Sequence, residues 1–164
     1  MDHNRGLTLS EVLVTMVVIG ILALLFLPHT VCGGGIGPAR RTACASNLRQ
    51  LYQLGTLYSS THQGEWPAAR GSALWRSFTQ TSPPLLEQEW LDVLSCPVKG
   101  EELSPGACDY LGPRQRVSAL KPTDALGADK PGNHGEGVTG NLLLRDGSVQ
   151  EYEASHPLWE SLSD

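Results

Sequence analysis

The chain has 164 residues, a net charge of −5 built from interspersed charges of both signs, and 40% hydrophobic residues, which fits one small domain plus an appendage. The missing basic excess argues against nonspecific nucleic-acid binding, so no nucleic-acid partner is expected. Much of the apolar content lies near the N-terminus; with 18 Gly and 11 Pro in the chain, the remainder predicts a loop-rich domain with a modest core.

The first six residues, Met1 to Gly6, are short and polar, with one positive charge at Arg5. An apolar run of 21 residues follows, from Leu7 to Leu27, and Pro28 ends it. As a helix this run would rise roughly 31 Å, close to the thickness of a bilayer's hydrocarbon core. The run is long for an ordinary secretory signal, and Pro28 to Val31 offers no A-x-A cleavage site. The residues before Cys32 lack the small side chains of a lipoprotein signal. A plain single-span anchor leaves one feature unexplained: Glu11, an acid inside the run. A carboxylate there costs at least ~2.5 kcal/mol on insertion, so such residues usually serve a function.

Gly6-Leu7-Thr8-Leu9-Ser10-Glu11 ahead of a long apolar run resembles the type III signal of type IV prepilins and type II secretion pseudopilins. The resemblance implies cleavage after Gly6 by a prepilin peptidase and N-terminal methylation of Leu7, which stands where the family usually has Phe. It also implies that Glu11 neutralises the amino terminus of a neighbouring subunit during assembly. An ammonium and a carboxylate in a low-dielectric core attract strongly, and each is costly alone.

Cys32 to Pro38 is glycine-rich and flanked by prolines, which predicts a break in the helix and a hinge over residues 29–41. Arg40 and Arg41 lie close to this exit and Arg5 lies on the other side, so the charge rule for orientation is ambiguous. The prepilin resemblance implies a single-pass inner-membrane protein with its C-terminal domain in the periplasm or at the cell surface. From Thr42 to Tyr58, Cys44, Leu48, Leu51, Tyr52, Gly55 and Tyr58 form a one-sided stripe, widened by Leu54 and Leu57. This predicts an amphipathic helix closed by Gly64-Glu-Trp-Pro67. Residues 68–84 read as a short helix or irregular loop, and 85–94 as another short helix. Trp66, Trp75, Trp90 and Trp159 are expected to supply core.

The runs 141–145 and 148–152 flank Asp146-Gly147, which predicts a β-hairpin with a tight turn. Upstream, residues 128–137 read as a glycine-rich loop. The helix opening Cys44-Ala-Ser-Asn-Leu-Arg-Gln, the Cys96-Pro97 step, and His134 followed by Asp146-Gly147 together resemble a pilin-like subfamily abundant in planctomycetes. That resemblance implies a short strand ending at Tyr110 and a closing His…Asp-Gly signature at His134, Asp146 and Gly147. The family pattern has nine residues between His and Asp-Gly where this chain has eleven, which implies a loop insertion.

Cys32, Cys44, Cys96 and Cys108 allow three ways of forming two disulfides in an exported chain. No CxxC supports a zinc ribbon. Cys96 with Cys108 would close a small loop, and Cys44 with Cys96 would tie the helix to the sheet; the sequence does not choose. Oxygen ligands on Asp129, Asn133, Glu136 and Asp146 make Ca2+ the one cofactor to consider, since calcium takes oxygen donors and some pseudopilins carry it in a C-terminal loop. Otherwise no cofactor is expected. Neither Gly-x-Ser-x-Gly nor HExxH occurs, so no catalytic residue is assigned and no enzyme is expected.

The expected organisation is a leader (1–6), a transmembrane and assembly helix (7–28), a hinge (29–41) and a pilin-like domain (42–164). The expected fold is α+β, with an amphipathic helix packed on a small antiparallel sheet. The expected role is a structural filament subunit whose partners are the prepilin peptidase/N-methyltransferase, other pilin-like subunits and the membrane. The alternative is a single-span, ligand- or calcium-binding protein that does not polymerise.

Overall fold

The computed structural model describes residues 9–26, 36–99, 104, 106–134, 139–153 and 155–164. The chain divides into two units, Met1–Gly33 and Gly34–Asp164, which are taken separately.

The first unit is one helix, α1 (Leu9–Phe26). Its 18 residues rise about 27 Å. Among the described residues, no helix is long and apolar enough to cross a membrane. The ends of the expected span, at Leu7, Thr8, Leu27 and Pro28, lie outside the described residues, as does the leader. Every α1 side chain described, from Leu9 to Ile19, is exposed, with Leu9 at 86% and Met16 at 69%.

The second unit opens with α2 (Ile36–Thr61). It begins ahead of the expected Thr42 and takes in the last residues of the expected hinge. Pro38 is tolerated because it falls in the first turn, where a backbone N–H has no intrahelical acceptor. Cys44, Leu48 and Leu51 are fully buried and Tyr52 and Tyr58 partly so, as the stripe predicts; Leu57 is instead 52% exposed. Gly55 is required by packing: a Cβ there would lie 2.0 Å from the Trp66 ring. The helix ends where Gln63 and Gly64 turn to positive φ and the Gly64 N–H donates to the Ser59 carbonyl at 2.8 Å. This closure supplies a donor to a helix end whose last carbonyls lack one.

A short α3 (Ala73–Arg76) and 3-10 turns at Ser77–Thr79 and Gln88–Leu94 cover the core edge. Beyond them, β1 (Tyr110–Pro113), β2 (Ala125–Asp129), β3 (Gly140–Leu144), β4 (Val149–Tyr152) and β5 (Leu162–Ser163) form an antiparallel sheet in the order β4-β3-β2-β1-β5. The fold is thus α+β, as expected. Tyr110 begins its strand rather than ending one; the Asp109 carboxylate ahead of it accepts from the Cys96 N–H and Lys99.

The sheet is covered on both faces, which explains the unbroken Leu142-Leu143-Leu144 run. Leu143 points into a core of Cys44, Leu48, Leu51, Trp75, Phe78, Tyr110 and Leu126. Leu142 and Leu144 point to the other side, against Ala125, Ala128, Leu162 and Trp159. Trp66 and Trp75 are core and Trp159 is half-buried, but Trp90 is 64% exposed.

The predicted hairpin forms as β3–β4, with a longer turn than expected. Leu144 and Ser148 close it, the Gly147 N–H donates to the Leu144 carbonyl at 3.0 Å, and positive φ falls on Gly147 and not Asp146. Asp146 instead accepts from the N–H and hydroxyl of Ser148 at 2.9 and 2.7 Å. Those bonds hold its carboxyl below the usual range.

Candidate functional site

Gly6 and Leu7 lie outside the described residues. Glu11 occupies the first turn of α1, where the helix dipole favours an acid, and it is exposed.

A second constellation is buried in the C-terminal unit. Cys44 on α2 and Cys96, just past the Gln88–Leu94 turn, form a disulfide with Cα atoms 5.4 Å apart. This selects the Cys44–Cys96 pairing over Cys96–Cys108, and it ties α2 to the loop after the Gln88–Leu94 turn and not to a strand. Cys108 is a buried thiol with no disulfide partner among the described residues; its Sγ approaches the Tyr110 carbonyl at 3.6 Å, and burial pushes its pKa up to about 11. Cys32 lies outside the described residues.

Beside the disulfide stand Asp129, the last residue of β2, and His134 in the loop that follows. The His134 Nε2 lies 3.6 Å from the Cys96 Sγ and 3.3 Å from the Asp129 Oδ2. Its Nδ1 faces the Thr139 carbonyl at 3.4 Å. The His134 and Asp129 side chains are 4% and 2% exposed. One donor atom from each of Cys44, Cys96, Asp129 and His134 falls within 4.8 Å of all the others.

Asn141 holds the carboxylate in place. Its backbone N–H and side-chain Nδ2 both donate to the Asp129 Oδ2 at 2.9 Å, and the same Nδ2 donates to the Arg41 carbonyl at 3.0 Å. The other oxygen, Oδ1, is buried and has no hydrogen-bond partner among the described residues. Burial raises the Asp129 carboxyl above its usual range, opposed by the Asn141 N–H, the His134 ring and the Asn141 amide.

Asp129 and Asp146, two of the four residues considered as a calcium set, are not brought together. Asp129 closes one end of β2, whereas Asp146 lies past the Leu144 end of β3, which pairs with Ala125 at the opposite end of β2. Four residues of extended chain put about 13 Å between those ends. The Asn133 Nδ2 donates to the Asp109 carbonyl at 2.8 Å, and Glu136 lies outside the described residues. Of the His…Asp-Gly signature, Asp146 and Gly147 shape the hairpin turn while His134 sits at the far end of the sheet, beside the disulfide.

Sequence reasoning considered Asp129 and His134 apart from the cysteines and left Asn141 without a role. The cluster is spread from residue 44 to residue 134, so no local spacing announces it. The hint in the sequence was that Asp129 and Asn133 flank the end of a strand, but Ala125-Leu-Gly-Ala-Asp129 has a composition unlike a strand.

Residues 1–27 match the family model of the prokaryotic N-terminal methylation motif. The match supports a prepilin-type signal, the mark of a membrane-anchored or exported pilin-like precursor. Comparisons with curated proteins and with solved structures give no match.

Proposed function

We propose that the chain is the precursor of a type IV pilus or type II secretion-type filament subunit, with a structural role and no catalysis of its own. The observation that carries this reading is the methylation motif over residues 1–27, with Gly6 just ahead of an apolar helix and Glu11 in that helix's first turn. In this reading a prepilin peptidase cleaves after Gly6, the same machinery methylates Leu7, and α1 anchors the subunit in the inner membrane as the core of an apolar stretch over 7–28. Glu11 then meets the amino terminus of a neighbouring subunit. The domain beyond Gly34 lies outside the cytoplasm as a pilin-like head.

The deciding experiment is intact mass and N-terminal sequencing of the protein from native membranes. A mature chain beginning at Leu7, with or without a methyl group, is expected. A chain still carrying Met1 to Gly6 would sink the reading. Glu11→Leu separates assembly from anchoring: filaments should be lost while the protein stays in the membrane fraction. Retained filaments would remove Glu11 from its role.

A further inference from the structure

We propose that Cys44, Cys96, Asp129 and His134 form a binding site for one zinc-class divalent cation when the two cysteines are reduced. The donor set of two sulfurs, an imidazole nitrogen and a carboxylate oxygen is the kind that a borderline-soft, tetrahedral ion takes.

The spacing fits. With metal–sulfur bonds of about 2.3 Å and metal–nitrogen or –oxygen bonds of about 2.0–2.2 Å, a tetrahedral site has N···S and N···O edges of about 3.6 and 3.4 Å. The corresponding edges here are 3.6 Å from His134 Nε2 to Cys96 Sγ and 3.3 Å from His134 Nε2 to Asp129 Oδ2. Opening the disulfide lets the sulfurs part toward the third kind of edge, about 3.8 Å.

The hydrogen-bond pattern points the same way. A proton relay would place the carboxylate on one ring nitrogen and the sulfur on the other. Here both converge on Nε2, while Nδ1 faces the Thr139 carbonyl. A ring that donates through Nδ1 turns a lone pair at Nε2 toward two other electron-rich atoms, and a cation between them resolves that conflict. The Asp129 Oδ1 supplies an independent sign: it is buried without a hydrogen-bond partner among the described residues, and a cation on the carboxylate offsets the cost of burying it. Asn141 and Thr139 act as the outer shell, fixing the carboxylate and the ring.

Disulfide and metal exclude each other, because a bonded sulfur has no thiolate charge to offer. A dithiol delivers two electrons and its own two protons to the sulfur–sulfur bond, giving two thiols and its own disulfide; a phosphine delivers the two electrons while one water supplies the two thiol protons and the oxygen of the phosphine oxide. Zinc then displaces those two protons to bind two thiolates. Reducing compartments maintain the metal-competent form and oxidising ones the disulfide, so the site separates the chain before oxidation from the chain after it.

The test uses the full chain in detergent micelles, reduced with a phosphine and titrated with Co2+ and then Zn2+. One Co2+ per reduced chain is expected, with the visible bands of tetrahedral thiolate coordination, displaced by one Zn2+; the disulfide form should bind neither. Should the reduced chain unfold, zinc is expected to refold it. His134→Gln and the isosteric Asp129→Asn, each checked for folding in the disulfide form by near-UV circular dichroism, should weaken binding at least about tenfold. Asp146→Asn should leave it unchanged. A reduced chain that binds no metal, or that zinc leaves unfolded, overturns the proposal. So does unchanged affinity in both His134→Gln and Asp129→Asn, which would leave the cysteines as the only ligands.

Discussion

The two helices of this chain solve opposite problems. α2 has one apolar stripe and buries it, with Cys44, Leu48 and Leu51 fully covered by their own domain. α1 is apolar apart from Ser10, Glu11 and Thr15 near its start and, over Leu9 to Ile19, exposes every side chain. A helix of the first kind carries its own reason to fold in water. A helix of the second kind has a surface that water does not favour, and it needs lipid or other apolar helices as its surroundings. The domain beyond Gly34 should therefore respond to substitutions as an ordinary core does, while α1 should respond through what surrounds it.

The largest effect is expected at Trp75. It is fully buried, its Nε1–H donates to the Leu111 carbonyl at 2.8 Å, and its ring covers Gly127 so closely that a Cβ there would lie 2.6 Å away. Trp75→Ala opens a cavity and strips a carbonyl of its donor, and should cost about 5 kcal/mol of unfolding free energy. A loss below about 2 kcal/mol in denaturant titrations of the full chain would mean that the core around Trp75 can collapse to fill the space.

Next comes the disulfide. Cys44 and Cys96 are 52 residues apart, and closing a loop of that length stabilises by about 4 kcal/mol through the unfolded chain. The Cys44→Ala, Cys96→Ala double variant, measured with a chelator present, should lose that amount. A much smaller loss would show that the unfolded chain already holds α2 near the Cys96 loop.

The buried thiol gives a pH-dependent effect of intermediate size. Burial raises the Cys108 pKa from 9.0 to about 11. Between those values the unfolded chain releases the thiol proton and the folded chain keeps it. The folded state then binds more protons, so stability falls as pH rises, by about 3 kcal/mol across the window. The contribution is fully present below pH 9 and lost by about pH 11. Cys108→Ala should lack this component, so the difference between the two pH profiles isolates it from Tyr110, whose pKa burial also raises. Parallel profiles would show that Cys108 reaches solvent.

The contrast between regions also governs what could be read from the amino-acid order. The apolar run, the stripe of α2, the Gly64 stop and the Asp146-Gly147 hairpin are local patterns, and the structure contains each of them. β2 was not legible, because Ala125-Leu-Gly-Ala-Asp129 is chosen for close approach and not for strand preference: Gly127 makes room for Trp75. β5, two residues long, exists through its pairing with Gly112 and Pro113. The start of α2 at Ile36 was hidden because a proline in a first turn looks the same, in sequence, as a proline that stops a helix. The Cys–His–Asp cluster was illegible for a different reason. Its four members come from α2, two loops and a strand end, and only the folded sheet brings them within reach of one another. Each looked ordinary by itself: two of four cysteines, an aspartate in a glycine-rich stretch, and a histidine with a family resemblance but no assigned contact.

The smallest effect is the most discriminating for α1. Leu13 is 63% exposed, whereas Leu143, of the same chemistry, is fully buried in the sheet. Leu143→Ala should cost about 2–5 kcal/mol. Leu13→Ala, measured in the same unfolding experiment on the full chain in micelles, should change the stability of the C-terminal domain by less than about 0.5 kcal/mol. The same substitution should show its effect in association, because removing apolar volume from a mostly apolar helix weakens its packing against lipid or neighbouring copies. If Leu13→Ala instead destabilised the C-terminal domain as Leu143→Ala does, α1 would be covering the domain's own surface, and the division of labour between the two helices would fail.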